Sequence, residues 1–125
     1  MRVRESALKL KRFAAEEKKQ KVRDLEQMIG EFEQMTGDLD RQIQAEEERT
    51  GIRDRNHFAY STFARSAFQR RENLVASTSE LRERLENATT ERDNALTELE
   101  QADSAQQRED DRNRVHAPAE TASLR

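Results

Sequence analysis

Apolar residues recur at steps of three and four along two stretches of this chain, and no other feature constrains the fold as strongly. The first stretch runs through Leu8, Ala15, Val22, Leu25, Ile29, Phe32, Leu39 and Ile43, and the polar residues Lys11, Lys18, Thr36 and Glu46 interrupt it. The second runs through Tyr60, Ala64, Ala67, Arg71, Leu74, Thr78, Leu81, Leu85, Ala88, Arg92, Ala95, Leu99 and Ala102, in which Arg71, Thr78 and Arg92 are the polar positions. A repeat of about 3.5 residues places these positions along one side of a helix and is typical of coiled coils. We call each of these two sets of positions a stripe.

Charge dominates the composition, and this argues against an ordinary globular core. Charged residues make up 39% of the 125 residues and apolar residues 33%, with three Gly and one Pro. So many charges cannot be buried in a compact interior, whereas few helix breakers are typical of long helices. Disorder is the alternative for a polar chain. We expect it only over residues 115–125, where helix one offers no partner and Pro118 should end any helix.

A short break separates the two apolar stretches. Gly51 can adopt the left-handed conformation that ends a helix, and Asp54 is a suitable N-cap for the next one. We therefore predict helix one over residues 1–49, a turn over 50–54 and helix two over 55–114. Because a short loop folds two long helices back on each other, the predicted fold class is all-α: an antiparallel two-helix coiled-coil hairpin with a disordered C-terminal tail.

Folding at this turn fixes which residues face each other. The predicted register pairs Leu8 with Leu99, so that apolar residues meet near the two ends of the chain. It also pairs Thr36 with Arg71, so that interruptions of the two stripes fall in the same layer. Two stripes that match in both apolar and polar layers favour the hairpin more strongly than either stripe alone.

The charges are unevenly distributed, although the net charge is only −3. Residues 1–23 carry nine Lys or Arg against three Glu, and residues 84–106, which the register places beside them, carry six acids against two Arg. A parallel homodimer would bring like charges together, so this pattern favours the antiparallel hairpin. Binding of residues 1–23 to an anionic membrane surface or to nucleic acid is a further hypothesis. The acidic net charge makes general nucleic-acid binding the least expected of these.

The sequence lacks the motifs that carry enzyme chemistry. It contains no phosphate-binding loop, dinucleotide fingerprint or spaced set of metal ligands. His57 lies near the acidic residues 46–48, but a solvated helix end explains this cluster more simply than a metal site. A two-helix hairpin also lacks the concave pocket that catalysis normally needs. We therefore expect a protein that is not an enzyme, binds no cofactor and, without a long apolar run, has no transmembrane segment.

Two apolar residues near the start of the chain lie off the predicted stripe. Leu10 and Phe13 are three residues apart and share one face of helix one, among Lys9, Lys11 and Arg12. One interpretation is that long side chains pack over them at the helix end. The other is a docking site, because a two-helix hairpin cannot bury its outer face.

Four of the six aromatic residues fall within one short segment, at Phe58, Tyr60, Phe63 and Phe68. Tyr60 lies on the stripe, and packing at the turn could account for two or three of these rings. It does not readily account for all four, and Met28 and Met35 widen the apolar surface of helix one over the same half of the hairpin. We therefore favour a partner-binding site here over packing alone.

Three segments of the chain are similar to a known family. They read SALKLKRFAAEEKKQKV, LEQMIGEFEQMTGDLDRQIQAEEER and GIRDRNHFAYSTFARSAFQRRENL. Together they resemble the FliJ family, the small coiled-coil components of flagellar type III export, and most closely its alphaproteobacterial branch. The likeness covers residues 4 to about 105.

The resemblance implies a hairpin similar to the central stalk subunit of F-type rotary ATPases. It implies a cytoplasmic protein, peripherally associated with the export apparatus of the inner membrane and monomeric when free. The partners would be the hexameric export ATPase, the cytoplasmic region of the membrane export gate and export chaperones. The residues that would face the ATPase are Arg2, Arg4, Lys9, Lys11, Arg12, Lys18 and Lys19. Those that would face the gate or a chaperone are Phe58, Tyr60, Phe63 and Phe68. The alternative function is a generic structural coiled coil, an adaptor or homodimer, without a role in export.

Overall fold

Two α-helices account for nearly all of the described backbone. The computed structural model describes the backbone of residues 2–123 and the side chains of residues 3–115. Helix α1 spans Arg2–Thr50 and helix α2 spans Thr62–Ser123. The two helices pack against each other, and the described backbone contains no strand. The predicted all-α helical hairpin is therefore confirmed.

The contacts between α1 and α2 form two compact units. The terminal unit comprises residues 1–21 and 88–125, and the loop unit comprises residues 22–87. Every buried apolar side chain of the described residues lies on one of the two predicted stripes. In the terminal unit these are Ala15 and Ala88. In the loop unit they are Val22, Leu25, Ile29, Leu39, Tyr60, Ala64, Ala67 and Leu81. Because each large side chain that is removed from water contributes about 1.5–3 kcal/mol, the loop unit holds the larger apolar core.

Two threonines on the stripes, Thr36 and Thr78, are tolerated because carbonyl oxygens of the helix backbone accept hydrogen bonds from their hydroxyls. Thr78 is buried, and its hydroxyl donates a hydrogen bond of 2.8 Å to the carbonyl oxygen of Leu74. The half-buried Thr36 donates in the same way to the carbonyl oxygen of Phe32, at 2.9 Å. A buried hydroxyl with a partner avoids the penalty of an unpaired polar group, so these positions interrupt the apolar stripe without breaking the coiled coil.

The end of α1 follows the prediction. Gly51 has a φ of 75°, in the left-handed region that other residues rarely adopt. Its N–H donates to the carbonyl oxygen of Glu47 at 2.8 Å, which satisfies one of the last unpaired carbonyls of the helix. Gly51 therefore ends α1 for the reason that the sequence indicated.

The start of α2 was predicted too early, because a different residue forms the N-cap. The side chain of Ser61 accepts a hydrogen bond of 3.2 Å from the N–H of Ala64, and α2 begins at Thr62. Asp54, the predicted cap, accepts a bond of 3.0 Å from the N–H of Asn56 and so stabilises a turn inside the loop. The connection therefore covers residues 51–61, where a turn over 50–54 was predicted.

The longer loop displaces the pairing of the two helices by about one helical turn. Arg71, predicted to face Thr36, forms an ion pair with Asp40. Leu8, predicted to face Leu99, lines a groove together with Ala102. Antiparallel pairing is retained, because a shift of one turn leaves the same stripe facing the partner helix.

The C-terminal part of α2 extends further than composition indicated. The described helix runs to Ser123, past the predicted boundary at residue 114 and through Pro118. Before that boundary, Gln106 donates to Asp110 at 3.0 Å and Gln107 donates to Asp111 at 3.4 Å. These side-chain bonds within one helical turn support the part of α2 whose described residues include no buried apolar side chain. Of the predicted disordered tail, residues 124 and 125 lie outside the described residues.

Candidate functional site

The aromatic cluster, defined as Phe58, Tyr60, Phe63 and Phe68, belongs to the loop unit and divides into two structural roles. Tyr60 is buried, as its place on the stripe predicted. Its hydroxyl donates a hydrogen bond of 2.9 Å to the carboxylate of Glu47, which ties the loop to the end of α1. Burial raises the pKa of the Tyr60 phenol, and the bond to Glu47 raises it further. Tyr60 is therefore a structural member of the cluster.

Phe68 also makes a contact within the loop unit, with the side chain of Arg55. Its ring is half-buried, and the guanidinium carbon of Arg55 lies 3.9 Å from the ring centroid. A cation stacked on an aromatic face is attracted to the ring and covers part of its apolar surface. Phe68 therefore holds a loop arginine in place and presents only part of its ring to a partner.

The other two rings of the aromatic cluster are exposed. Phe58 is 95% exposed, and its ring stacks on that of His57 with centroids 4.8 Å apart. Phe63, in the first turn of α2, is 57% exposed. The sequence could not show which of the four rings would remain in solvent. The structure reduces the available apolar contact residues of the cluster to Phe58 and Phe63.

Further apolar side chains of the loop unit are partly exposed along the helices. Met28 and Met35 are seven residues apart on α1, which places them on one side of that helix. Val75 on α2, which the sequence did not single out, is similarly exposed and lines a groove of about 360 Å³ with Thr36 and Thr78. Flexible Met side chains are common at adaptable binding surfaces.

A polar clamp joins the end of α1 to the start of α2. The hydroxyl of Ser61 donates to the Glu46 carboxylate at 2.8 Å, and the Nε–H group of Arg49 donates to the same carboxylate at 3.1 Å. The bond from Arg49, and then that from Ser61, lowers the pKa of Glu46 from 4.5 to about 2. Ser61 therefore caps α2 and at the same time ties the start of this helix to the end of α1.

Acidic residues of α2 already pair with most of the predicted ATPase-facing cations. In the terminal unit, Lys18 lies 3.1 Å from Glu91, and the bond that it donates lowers the pKa of that carboxyl. The further pairs between the helices join Arg4 to Glu109, Lys11 to Glu98 at 3.9 Å and Arg12 to Asp103 at 3.3 Å. The predicted complementarity of the two segments is therefore present in the structure.

The remaining predicted ATPase-facing cations are Lys19, Lys9 and Arg2, and no pair with α2 is described for them. Lys19 pairs with Glu16 on its own helix, at 3.2 Å. Lys9 is exposed, and the side chain of Arg2 lies outside the described residues. The basic segment therefore offers a partner less unpaired charge than its composition suggests.

The terminal unit also exposes the apolar residues that lie off the stripe. Leu10 is 70% exposed and Phe13 is 63% exposed, so packing by neighbouring stems leaves most of their surface in water. Val3, which the sequence pattern did not single out, lies seven residues before Leu10 on the same side of α1 and is 82% exposed. Val3, Leu10 and Phe13 form the outer patch of the terminal unit, on a helix side away from the buried stripe.

The exposed rings of the loop unit and the outer patch of the terminal unit are therefore two separate candidate surfaces. In the described part of the chain, no three acidic, His or Cys residues are placed to hold a metal ion, and neither described helix is apolar enough over a sufficient length to cross a bilayer. No protein-family model, no curated protein and no solved structure matches the chain.

Proposed function

We propose that this protein is a non-catalytic component of the flagellar type III export apparatus. In this proposal it couples the export ATPase hexamer to the cytoplasmic region of the membrane export gate and escorts export chaperones. It would act in the cytoplasm, peripherally associated with the inner membrane, and be monomeric when free. The resemblance of residues 4 to about 105 to the FliJ family motivates the proposal, and the antiparallel helical hairpin that the family implies is the fold of this chain.

The observation that carries the proposal is the exposure of Phe58 and Phe63. Two large rings in water forgo the stabilisation that burial would provide, which is about 1.5–3 kcal/mol for each side chain. Exposed aromatic and Met side chains are enriched where proteins bind one another. We assign contact with the gate or a chaperone to these two rings, with Tyr60 and Phe68 holding the loop that presents Phe58.

The ATPase contact is assigned to the terminal unit. Here the outer patch supplies apolar surface, and the residues predicted from the resemblance supply charge: Arg2, Arg4, Lys9, Lys11, Arg12, Lys18 and Lys19. Several of these already form ion pairs within the unit. Because an exposed pair contributes only about 0–1 kcal/mol, acidic groups of an ATPase can replace the α2 carboxylates at little cost.

The proposal is tested with the double variant Phe58→Ala/Phe63→Ala. We expect it to retain the helicity of the parent by circular dichroism, to lose capture by the purified cytoplasmic region of the gate and to abolish swimming in the bacterium that encodes the chain. Capture by the ATPase should persist, because these rings belong to the loop unit. The control is Glu80→Ala/Glu83→Ala, which truncates two exposed side chains of α2 in the same unit that are assigned to no contact surface. Unchanged swimming and gate capture in the double variant would refute the assignment.

A structural homodimer without an export role is the second candidate. The outer patch favours it, because Val3 and Leu10 are seven residues apart, as on the interface of a coiled coil. Light scattering coupled to size-exclusion chromatography separates the two functions. A particle of 14.6 kDa supports the export proposal, and a stable particle of twice that mass supports the homodimer.

A further inference from the structure

An open cleft of about 510 Å³ lies on the loop unit. Its walls include three arginines, Arg53, Arg55 and Arg65, together with Tyr60 and Phe68. The local charge is strongly positive, since residues 51–71 hold five Arg and a single acid. This contrasts with the adjoining residues 24–50, which hold nine acids and two Arg. We call this feature the loop cleft.

Aromatic rings hold two of the three arginines in position. The guanidinium carbon of Arg55 lies 3.9 Å from the centroid of the Phe68 ring, and that of Arg65 lies 5.5 Å from the centroid of the Tyr60 ring. Tyr60 is itself fixed by its bond to Glu47. A guanidinium that lies over a ring keeps its in-plane N–H donors available at its edge, where they match the two oxygens of a carboxylate. These arginines are therefore preorganised donors.

Asp54 is the acidic residue that lines the loop cleft, and its carboxylate is hydrogen-bonded within the loop. Asp54 accepts a backbone hydrogen bond from Asn56 at 3.0 Å, which holds it within the turn. Among the described residues, Arg53, Arg55 and Arg65 form no ion pair. By contrast, Lys18 and Arg12 of the terminal unit both have acidic partners on α2. With Asp54 counted, the charged residues that line the loop cleft carry three positive charges against one negative, which leaves a net charge of +2 there.

We infer that the loop cleft binds an acidic segment of a partner protein, whose Asp or Glu carboxylates are held by Arg53, Arg55 and Arg65. Three donors distributed around about 510 Å³ suit several carboxylates along an extended peptide better than one small anion. The exposed ring of Phe58, three residues from Arg55, offers an apolar contact to the same segment. The inference goes beyond the proposed function and holds whether or not the partner belongs to an export apparatus.

The test is a fluorescence anisotropy titration of the full chain with a short fluorescein-labelled peptide of alternating Glu and Ser. We expect saturable binding that weakens as salt is added. The triple variant Arg53→Gln/Arg55→Gln/Arg65→Gln should bind about tenfold or more weakly, as expected for the loss of charge-assisted hydrogen bonds. A matched control, Arg84→Gln/Arg108→Gln/Arg112→Gln, removes the same charge elsewhere and should change affinity by less than about twofold.

A second triple variant keeps the result interpretable if the Gln substitutions disturb the loop. Replacement of the three cleft arginines by Lys retains the charge but removes the planar pair of donors. We expect an intermediate loss of affinity, with helicity unchanged by circular dichroism.

Three outcomes would overturn the inference. One is equal loss of affinity in the control triple variant, which would assign binding to net charge. Another is equal binding of a peptide of alternating Gln and Ser. The third is complete displacement of the acidic peptide by inorganic phosphate at an equal concentration, which would assign the cleft to a phosphate group. None of these outcomes affects gate capture through Phe58 and Phe63, so failure here and failure of the proposed function are distinguishable.

Discussion

Replacement of Leu81 by Ala should destabilise the hairpin more than any change to its surface. Leu81 is buried on the stripe of α2 within the loop unit, and among the described residues of α2 it is the only large apolar side chain that is buried. Truncation of a buried Leu costs about 2–5 kcal/mol, and the cost depends on how far the neighbours close the space. A two-helix interface can close more readily than a multilayer core, so we expect the lower half of this range, about 2–3 kcal/mol.

The measurement is urea unfolding followed by circular dichroism at the helical band. With a denaturant slope of about 1–3 kcal/mol/M, this loss corresponds to a midpoint lower by about 1–2 M. The matched control is Val75→Ala on the same helix, where the partly exposed side chain contributes less and the midpoint should change little. Equal midpoints for Leu81→Ala and the parent would refute the reasoning, because Leu81 would then not belong to the core.

Three further predictions concern the polar clamp between Ser61, Glu46 and Arg49, and the surface charges. Ser61→Ala should reduce the free energy of unfolding by about 1 kcal/mol, because it removes the N-cap of α2; urea unfolding measures this. Glu46 has a pKa lowered to about 2, so its contribution to stability is complete above pH 4.5 and is lost as the pH falls through about 2. Unfolding free energies across this acid range should therefore fall less steeply in Glu46→Gln than in the parent. Lys18→Ala should cost less than about 1 kcal/mol, because its pair with Glu91 is exposed, and the difference should vanish in high salt.

Each of these three predictions has a control or a contrary result. Ser66→Ala, on the exposed part of the same helix, should not reduce the free energy of unfolding and should raise it by no more than about 0.5 kcal/mol, because Ala has the higher helix propensity. Identical pH profiles for Glu46→Gln and the parent would contradict the assignment of the acid loss to that carboxylate. A salt-independent loss in Lys18→Ala would show that its stem packs against the helix and that its charge contributes little.

The stripes were predictable because apolar residues at helical spacing mark the face of a helix that becomes buried. Ile29 and Leu81 lie at steps of three and four from their neighbours, and both are buried where the spacing placed them. The ion pairs between the first segment and α2 followed from charge alone, since Lys18 and Glu91 lie in segments of opposite sign. Both features depend on periodicity or composition, which the sequence displays along its full length.

The loop was harder to predict because two residues of the same capping class compete there. Asp54 and Ser61 are both good N-caps by type, and Ser61, which caps α2, also donates a hydrogen bond to Glu46 on α1. That contact depends on the hairpin already being closed. The error in the loop then displaced the register by about one helical turn, as the pair of Arg71 with Asp40 shows.

The candidate site was only partly predictable for a similar reason. The sequence placed four rings in one segment, but it could not tell that Tyr60 would bond to Glu47 while Phe58 stayed in solvent. It also gave no sign that Arg55 would lie over Phe68. Side-chain exposure at a loop depends on tertiary contacts, which no local pattern encodes.

The most direct test of the account is a crosslink within one molecule of the terminal unit. The chain has no Cys, so the variant Lys11→Cys/Glu98→Cys carries only the two introduced thiols, at positions whose side chains form an ion pair. A short bifunctional maleimide should join them rapidly at the mass of a monomer. In the control Lys18→Cys/Asp111→Cys the thiols should not react together, because Asp111 lies twenty residues, or about 30 Å, along α2 from Glu91, the partner of Lys18. Products found only at the mass of a dimer would contradict the hairpin.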